Sequence, residues 1–82
     1  MKLSEAGEGR VRGYIFVLER SLRSFLPRDM MCAAVREVES HLRERIDQAD
    51  GAPSEAAALE RILADFGTPL GVAQAYSSEI VL

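Results

Sequence analysis

The sequence predicts an all-α fold: one compact domain of four helices, two longer ones followed by two short ones. Three observations carry this expectation. Apolar residues recur at three- and four-residue intervals from Val11 to Phe66, and no alternating run marks a strand. Helix punctuation falls at Pro27, at Asp50-Gly51-Ala52-Pro53-Ser54 and at Gly67-Thr68-Pro69. The 82 residues, 48% hydrophobic and 28% charged, have the size and balance of a single globular domain, near the low end for a self-sufficient core.

Residues 1–9, with Gly7, Gly9 and alternating acids, read as a flexible lead-in, so the helical domain is taken as 10–82. The first helix is expected from about Arg10 to Leu26. Val11, Tyr14, Ile15, Leu18, Leu22, Phe25 and Leu26 form one wide apolar face, while Phe16 and Val17 lie off it and suggest a second contact surface. Gly13 weakens this helix by ~1 kcal/mol relative to alanine, enough to fray its first turn.

Pro27 breaks that pattern, and Pro27-Arg28-Asp29 opens a second helix with an acid where the macrodipole favours it. Its stripe to about Ala49 is Met31, Ala34, Val35, Val38, Leu42 and Ile46, and Glu39 with Arg43 forms a favourable i,i+4 pair. Ser54 caps a short third helix from Glu55 to Phe66, with Ala58, Leu59, Ile62, Leu63 and Phe66 inward. At the following corner, Gly67 takes a left-handed conformation and Thr68 serves as N-cap. Pro69 fits the first helical position, where its missing donor is not needed. The fourth helix runs to about Ser78 with Leu70, Ala73 and Tyr76 or Ala75 inward.

Formal net charge is −3, which argues against a dedicated nucleic-acid binder. The charge is unevenly spread. Residues 1–28 carry six Lys/Arg against three Asp/Glu, and residues 29–82 carry four against ten. A single cysteine, Cys32, excludes an internal disulfide framework and suits a reducing cytosol. No signal peptide is read at the N-terminus, and the longest apolar run, Tyr14 to Leu18, falls far below the ~20 residues that span a bilayer. The apolar ending Ile80-Val81-Leu82 is read as heading towards something hydrophobic.

Enzymatic constellations are not visible. His41 lies nine positions after Cys32, about 13.5 Å along the same helix at 1.5 Å per residue, too far for a dyad. Cys32 reads as a small buried or half-buried packing residue, with a redox sensor as the alternative. His41 reads as a boundary histidine bonded to a neighbouring helix, with a pH-sensitive contact or a metal site shared with Glu37 as alternatives. No phosphate loop, cofactor motif or small-molecule site appears, so no enzyme is expected. Arg12, Arg20 and Arg23 share one side of the first helix with Phe16 and Val17 nearby. A solvated face is the plain reading of these arginines. Contact with an anionic membrane surface or an acidic partner is the sharper one, and DNA contact the weakest.

Taken in order, Leu26-Pro27, Val38-Glu39-Ser40-His41-Leu42, Ser54-Glu55, Phe66-Gly67-Thr68-Pro69 and Ala73 with Tyr76 form a pattern that resembles the HAAS signalling domain. That is a small α-helical module usually found at the N-terminus of bacterial membrane proteins. The likeness covers roughly residues 14–78. Phe66 replaces the usual leucine, and Asp50–Pro53 lengthens the turn before the third helix. The resemblance implies a non-enzymatic cytoplasmic signalling or protein-interaction module, the N-terminal domain of a membrane protein or permease, linked to PadR-like winged-helix repressors. It implies no catalytic residue and no cofactor. A stand-alone dimeric regulator that binds a PadR-like transcription factor is the alternative, and Phe16 and Val17 suit a protein or self-association surface under either. Pro27, His41, Ser54, Gly67, Thr68, Pro69 and Tyr76 are the positions that carry the motif.

Overall fold

A computed structural model describes residues 2–49 and 54–80, and every regular element among them is helical. Helix α1 spans Glu5–Arg23, α2 Arg28–Gln48, α3 Glu55–Phe66 and α4 Pro69–Ile80. Helices α1 and α2 pack as an antiparallel hairpin, because Leu26 and Pro27 leave only a short turn between them. Pro27 lacks the N–H that would continue α1, and it biases Leu26 away from helical torsions. The chain therefore leaves the helix after Arg23, and Phe25 and Leu26 both bond back to the Leu22 carbonyl. This corrects the expected end at Leu26. Leu26 is still buried through the turn, but Phe25 points outward.

Helix α1 also starts earlier than the sequence suggested. The segment read as a flexible lead-in contains the first turn of α1, capped by Ser4, whose hydroxyl accepts the Gly7 N–H at 3.2 Å. Glu5 and Glu8 then sit where the macrodipole favours acids. The backbone N–H of Ser4 donates to Glu55 Oε1 at 2.6 Å, and its hydroxyl donates to the other oxygen of the same carboxylate. A residue of α3 thus closes the start of α1. Gly7 makes this approach feasible: a Cβ there would lie 2.7 Å from Glu55 Oε2.

Helix α3 runs alongside α1 in the same sense, with Glu55 at Ser4 and Gly67 at Tyr14. Helix α4 continues from that point and packs mainly on α1. In cross-section the molecule is α1, α2 and a third column made of α3 and α4, with extents of 44 × 20 × 16 Å. The core is one cluster along α1 and α2, joined by Leu59 and Ile62 from α3 and Ala73 from α4. Val11, Leu18, Leu22, Leu42 and Leu59 are fully enclosed, so truncating any of the four leucines to alanine is expected to destabilise by about 2–5 kcal/mol. Charged ties cross two of the seams. Arg43 of α2 donates to both oxygens of Glu8 at 3.0 and 2.9 Å, and Arg45 donates to Asp65 at 2.8 Å.

In α4 the inward face agrees with the expected one at Ala73 and Tyr76 and differs at Leu70. Ala73 is fully buried and Val72 and Tyr76 are half-buried, which rotates Leu70 out to solvent and leaves Ala75 exposed. The expected turn at Asp50–Pro53 and the terminal Val81-Leu82 lie outside the described residues.

Candidate interaction site

Helix α2 turns its buried stripe to α1, which leaves Glu37, His41, Glu44 and Arg45 on flanking positions. Because α4 is seated on α1, it barely touches α2. Between α2 and α4 lies an open groove of about 470 Å³. Glu37, Val38 and His41 line one side, Gly71, Val72, Ala75 and Tyr76 the other, and Phe66 closes the end. A second hollow of about 370 Å³ continues along α2, bounded by His41, Glu44, Arg45, Gln48 and Phe66. His41 and Phe66 belong to both, so the two form one channel with apolar residues at its base.

The corner after α3 sets where α4 lies, and therefore how wide the channel is. Gly67 has φ +91° and ψ −177°. This is the extended positive-φ region that essentially only glycine occupies, not the left-handed helical conformation the sequence suggested. Its N–H still satisfies the Leu63 and Ala64 carbonyls, and its own carbonyl accepts the Tyr14 hydroxyl at 2.8 Å. Thr68 Oγ1 then accepts the Gly71 N–H at 3.0 Å, and Pro69 is the first residue of α4. At the channel's end the Arg45 guanidinium lies 5.7 Å from the Phe66 ring centroid while bonded to Asp65, which fixes both residues. Glu37 and Glu44 make no ion pair among the described residues.

Of the motif positions, His41 and Tyr76 line the channel from opposite helices. Gly67, Thr68 and Pro69 form the corner beside it. Ser54 caps α3 by accepting the Ala57 N–H at 3.1 Å, and Pro27 holds the N-cap position of α2 without a side-chain bond. Two expectations are corrected. His41 is exposed and makes no hydrogen bond to a neighbouring helix among the described residues, because its position on α2 opens onto the groove. Cys32 is exposed too, one residue past the buried Met31 and therefore turned off the stripe by about 100°. Arg12, Phe16, Val17, Arg20 and Arg23 all lie on the outer side of α1, exposed, with the Arg20 guanidinium 5.9 Å from the Phe16 ring centroid and Arg23 paired to Glu19 at 3.2 Å. Sequence reasoning missed Val72, Ala75 and Glu37 as groove residues. It also missed the contact of Ser4 with Glu55, since nothing local to either residue announces a partner 51 positions away.

Hydrogen bonds and burial shift the titration of four groups that lie away from the groove, among them Arg43, raised by its hydrogen bonds to Glu8. Hydrogen bonds from Arg43 hold the Glu8 carboxyl below its ordinary value. Hydrogen bonds from the Ser4 side chain and backbone do the same for Glu55, and burial raises the Tyr14 phenol.

Comparison with known families matches the HAAS family over residues 13–75, most of the chain. The chain belongs to the HAAS family. The HAAS match runs from Gly13 in α1 to Ala75 in α4, so it includes the corner and nearly all of the channel. Neither curated proteins nor solved structures give a match. In this HAAS domain no helix among the described residues is long and apolar enough to cross a membrane.

Proposed function

We propose that the chain is a non-enzymatic signalling and protein-interaction module, working in the cytoplasm as the N-terminal domain of a bacterial membrane protein or permease. The observation that carries this reading is the open channel between α2 and α4, in a domain whose family is a protein-interaction module. Its concave, partly apolar shape suits a helix laid along it, one of the recurring ways such grooves are used. On this reading the four helices act as one unit, and the Gly67-Thr68-Pro69 corner holds α4 at the angle that keeps the channel open. HAAS domains are associated with PadR-like regulators, so a PadR-like winged-helix repressor is the partner to try first.

Titration calorimetry of the 82-residue chain with that repressor tests the reading. Saturable binding is expected, weakened at least ~10-fold by Ala75→Asp, a change at an exposed groove position that leaves the core alone. No binding heat would count against this partner. The membrane context has its own test. A gene running on after Leu82 without a span of ~20 apolar residues would overturn it. A second reading, a stand-alone dimeric regulator, draws on Phe16 and Val17, which remain exposed on the outside of α1.

A further inference from the structure

Two surfaces of this molecule complement one another, and they lie on opposite sides of it. The outer side of α1 presents Phe16 and Val17 side by side, 59% and 48% exposed, the two adjacent large apolar residues on that solvent face. Arg12 and Arg20 stand one turn before and one turn after Phe16, eight residues or about 12 Å apart. Arg23 adds no net charge because Glu19 pairs with it, and Glu8, one turn before Arg12, is engaged by Arg43. The channel shows the reverse arrangement. Glu37 and Glu44 are seven residues or about 10.5 Å apart along α2, neither is ion-paired among the described residues, and apolar Val72, Ala75 and Phe66 lie across from them. Arg45 adds no net charge there because Asp65 pairs with it.

We infer that the outer face of α1 from one copy docks in the α2–α4 channel of the next, with Phe16 and Val17 on the apolar base and Arg12 and Arg20 opposite Glu37 and Glu44. The occupant is a second copy of this chain because both halves of the contact are present on it, with matching charge number and spacing. The division of charge points the same way, since residues 1–28 are net basic and residues 29–82 net acidic. Helix α1 packs on both α2 and α4, so the groove between those two opens away from the outer face of α1. One pair of molecules cannot make the contact twice. The assembly is head-to-tail, and it grows into a ring or a short filament rather than closing as a symmetric dimer. This inference rests on the reading of the channel as an interaction site, and it makes self-assembly compete with any partner for that site.

Light scattering and sedimentation of the 82-residue chain test it, with Phe16→Asp to block the α1 face and Ala75→Asp to block the channel. Both positions are exposed, and helical circular dichroism verifies that the variants fold. The expected result is that wild-type mass rises with concentration up to about 1 mM and falls when salt is raised. Each variant alone stays monomeric. Their equimolar mixture gives a 1:1 dimer that stops there, because one intact channel meets one intact α1 face and each of the two surfaces left over carries an aspartate in place of the apolar residue the contact would bury. A strictly monomeric wild type overturns the inference while leaving repressor binding, measured separately, to stand or fall alone. Assembly unaffected by both variants also overturns it. So does a monomer that instead cosediments with phosphatidylcholine–phosphatidylglycerol vesicles and loses that binding in Arg20→Glu, which would assign the α1 face to a membrane.

Discussion

At the residue scale the corner depends on one torsion. Gly67 sits at φ +91°, and a Cβ built there meets nothing within 4 Å. Any cost of Gly67→Ala is therefore conformational rather than a clash with neighbours. The substitution is expected to destabilise by more than ~1 kcal/mol, read as a lower urea midpoint with an unchanged slope. An unchanged midpoint would mean that the corner relaxes to an ordinary torsion without loss. Tyr14 holds the same corner from the other side, donating to the Gly67 carbonyl. Tyr14→Phe keeps the packing and removes the bond, and its expected cost is about 0.5–1.5 kcal/mol. The low end of that range suits an exposed glycine, because water can take the place of the phenol.

At the scale of elements, α2 was legible in the sequence because five apolar residues recur on it without competition: Met31, Ala34, Val38, Leu42 and Ile46 are all buried. Helix α3 was legible for its sharp ends, Ser54 and Gly67. Helix α4 was phased only in part: Ala73 and Tyr76 turn inward as expected, and Leu70 does not. Three turns carrying Leu70, Val72, Ala73, Ala75 and Tyr76 allow several inward faces, and the packing of Ala73 on α1 chose one that leaves Leu70 out. The channel could not be read either, since it depends on how α4 is seated rather than on any local pattern. The start of α1 was hidden for a related reason. Ser4 and Gly7 look like loop residues until Glu55 is placed beside them. Two substitutions test that arrangement. Ser4→Ala is expected to cost ~1 kcal/mol through the lost cap alone. Gly7→Ala forces the Glu55 carboxylate away from Ser4, so the Glu55 pKa, followed by NMR titration, should rise towards its ordinary value. A Glu55 pKa unmoved by Gly7→Ala would show that the contact does not form in solution.

For the whole molecule, these shifted groups define a pH window of stability. Glu8 and Glu55 are both held below the ordinary value of 4.5, Glu8 chiefly by its hydrogen bonds from Arg43 and Glu55 by those from Ser4. Below that value the unfolded chain takes up protons that the folded chain resists. Stability contributed by the two carboxylates is thus fully present above about pH 4.5 and is lost as pH falls through their folded pKa values. Tyr14 acts at the other end. Burial raises its phenol above the ordinary 10.0, so its contribution is present below pH 10 and is lost as pH rises through the folded value. Thermal unfolding followed from about pH 3 to about pH 11 should therefore show a plateau with two falling limbs. Glu8→Gln should lower the plateau and flatten the acidic limb, converging with wild type at the lowest pH, because a protonated Glu8 and a glutamine both lack the charge that holds Arg43. Tyr14→Phe should leave the acidic limb alone and flatten the alkaline one. If Glu8→Gln instead shifts the whole curve down by the same amount at every pH, the Arg43 bridge is not what depresses the carboxyl, and the tie between α1 and α2 rests on packing alone.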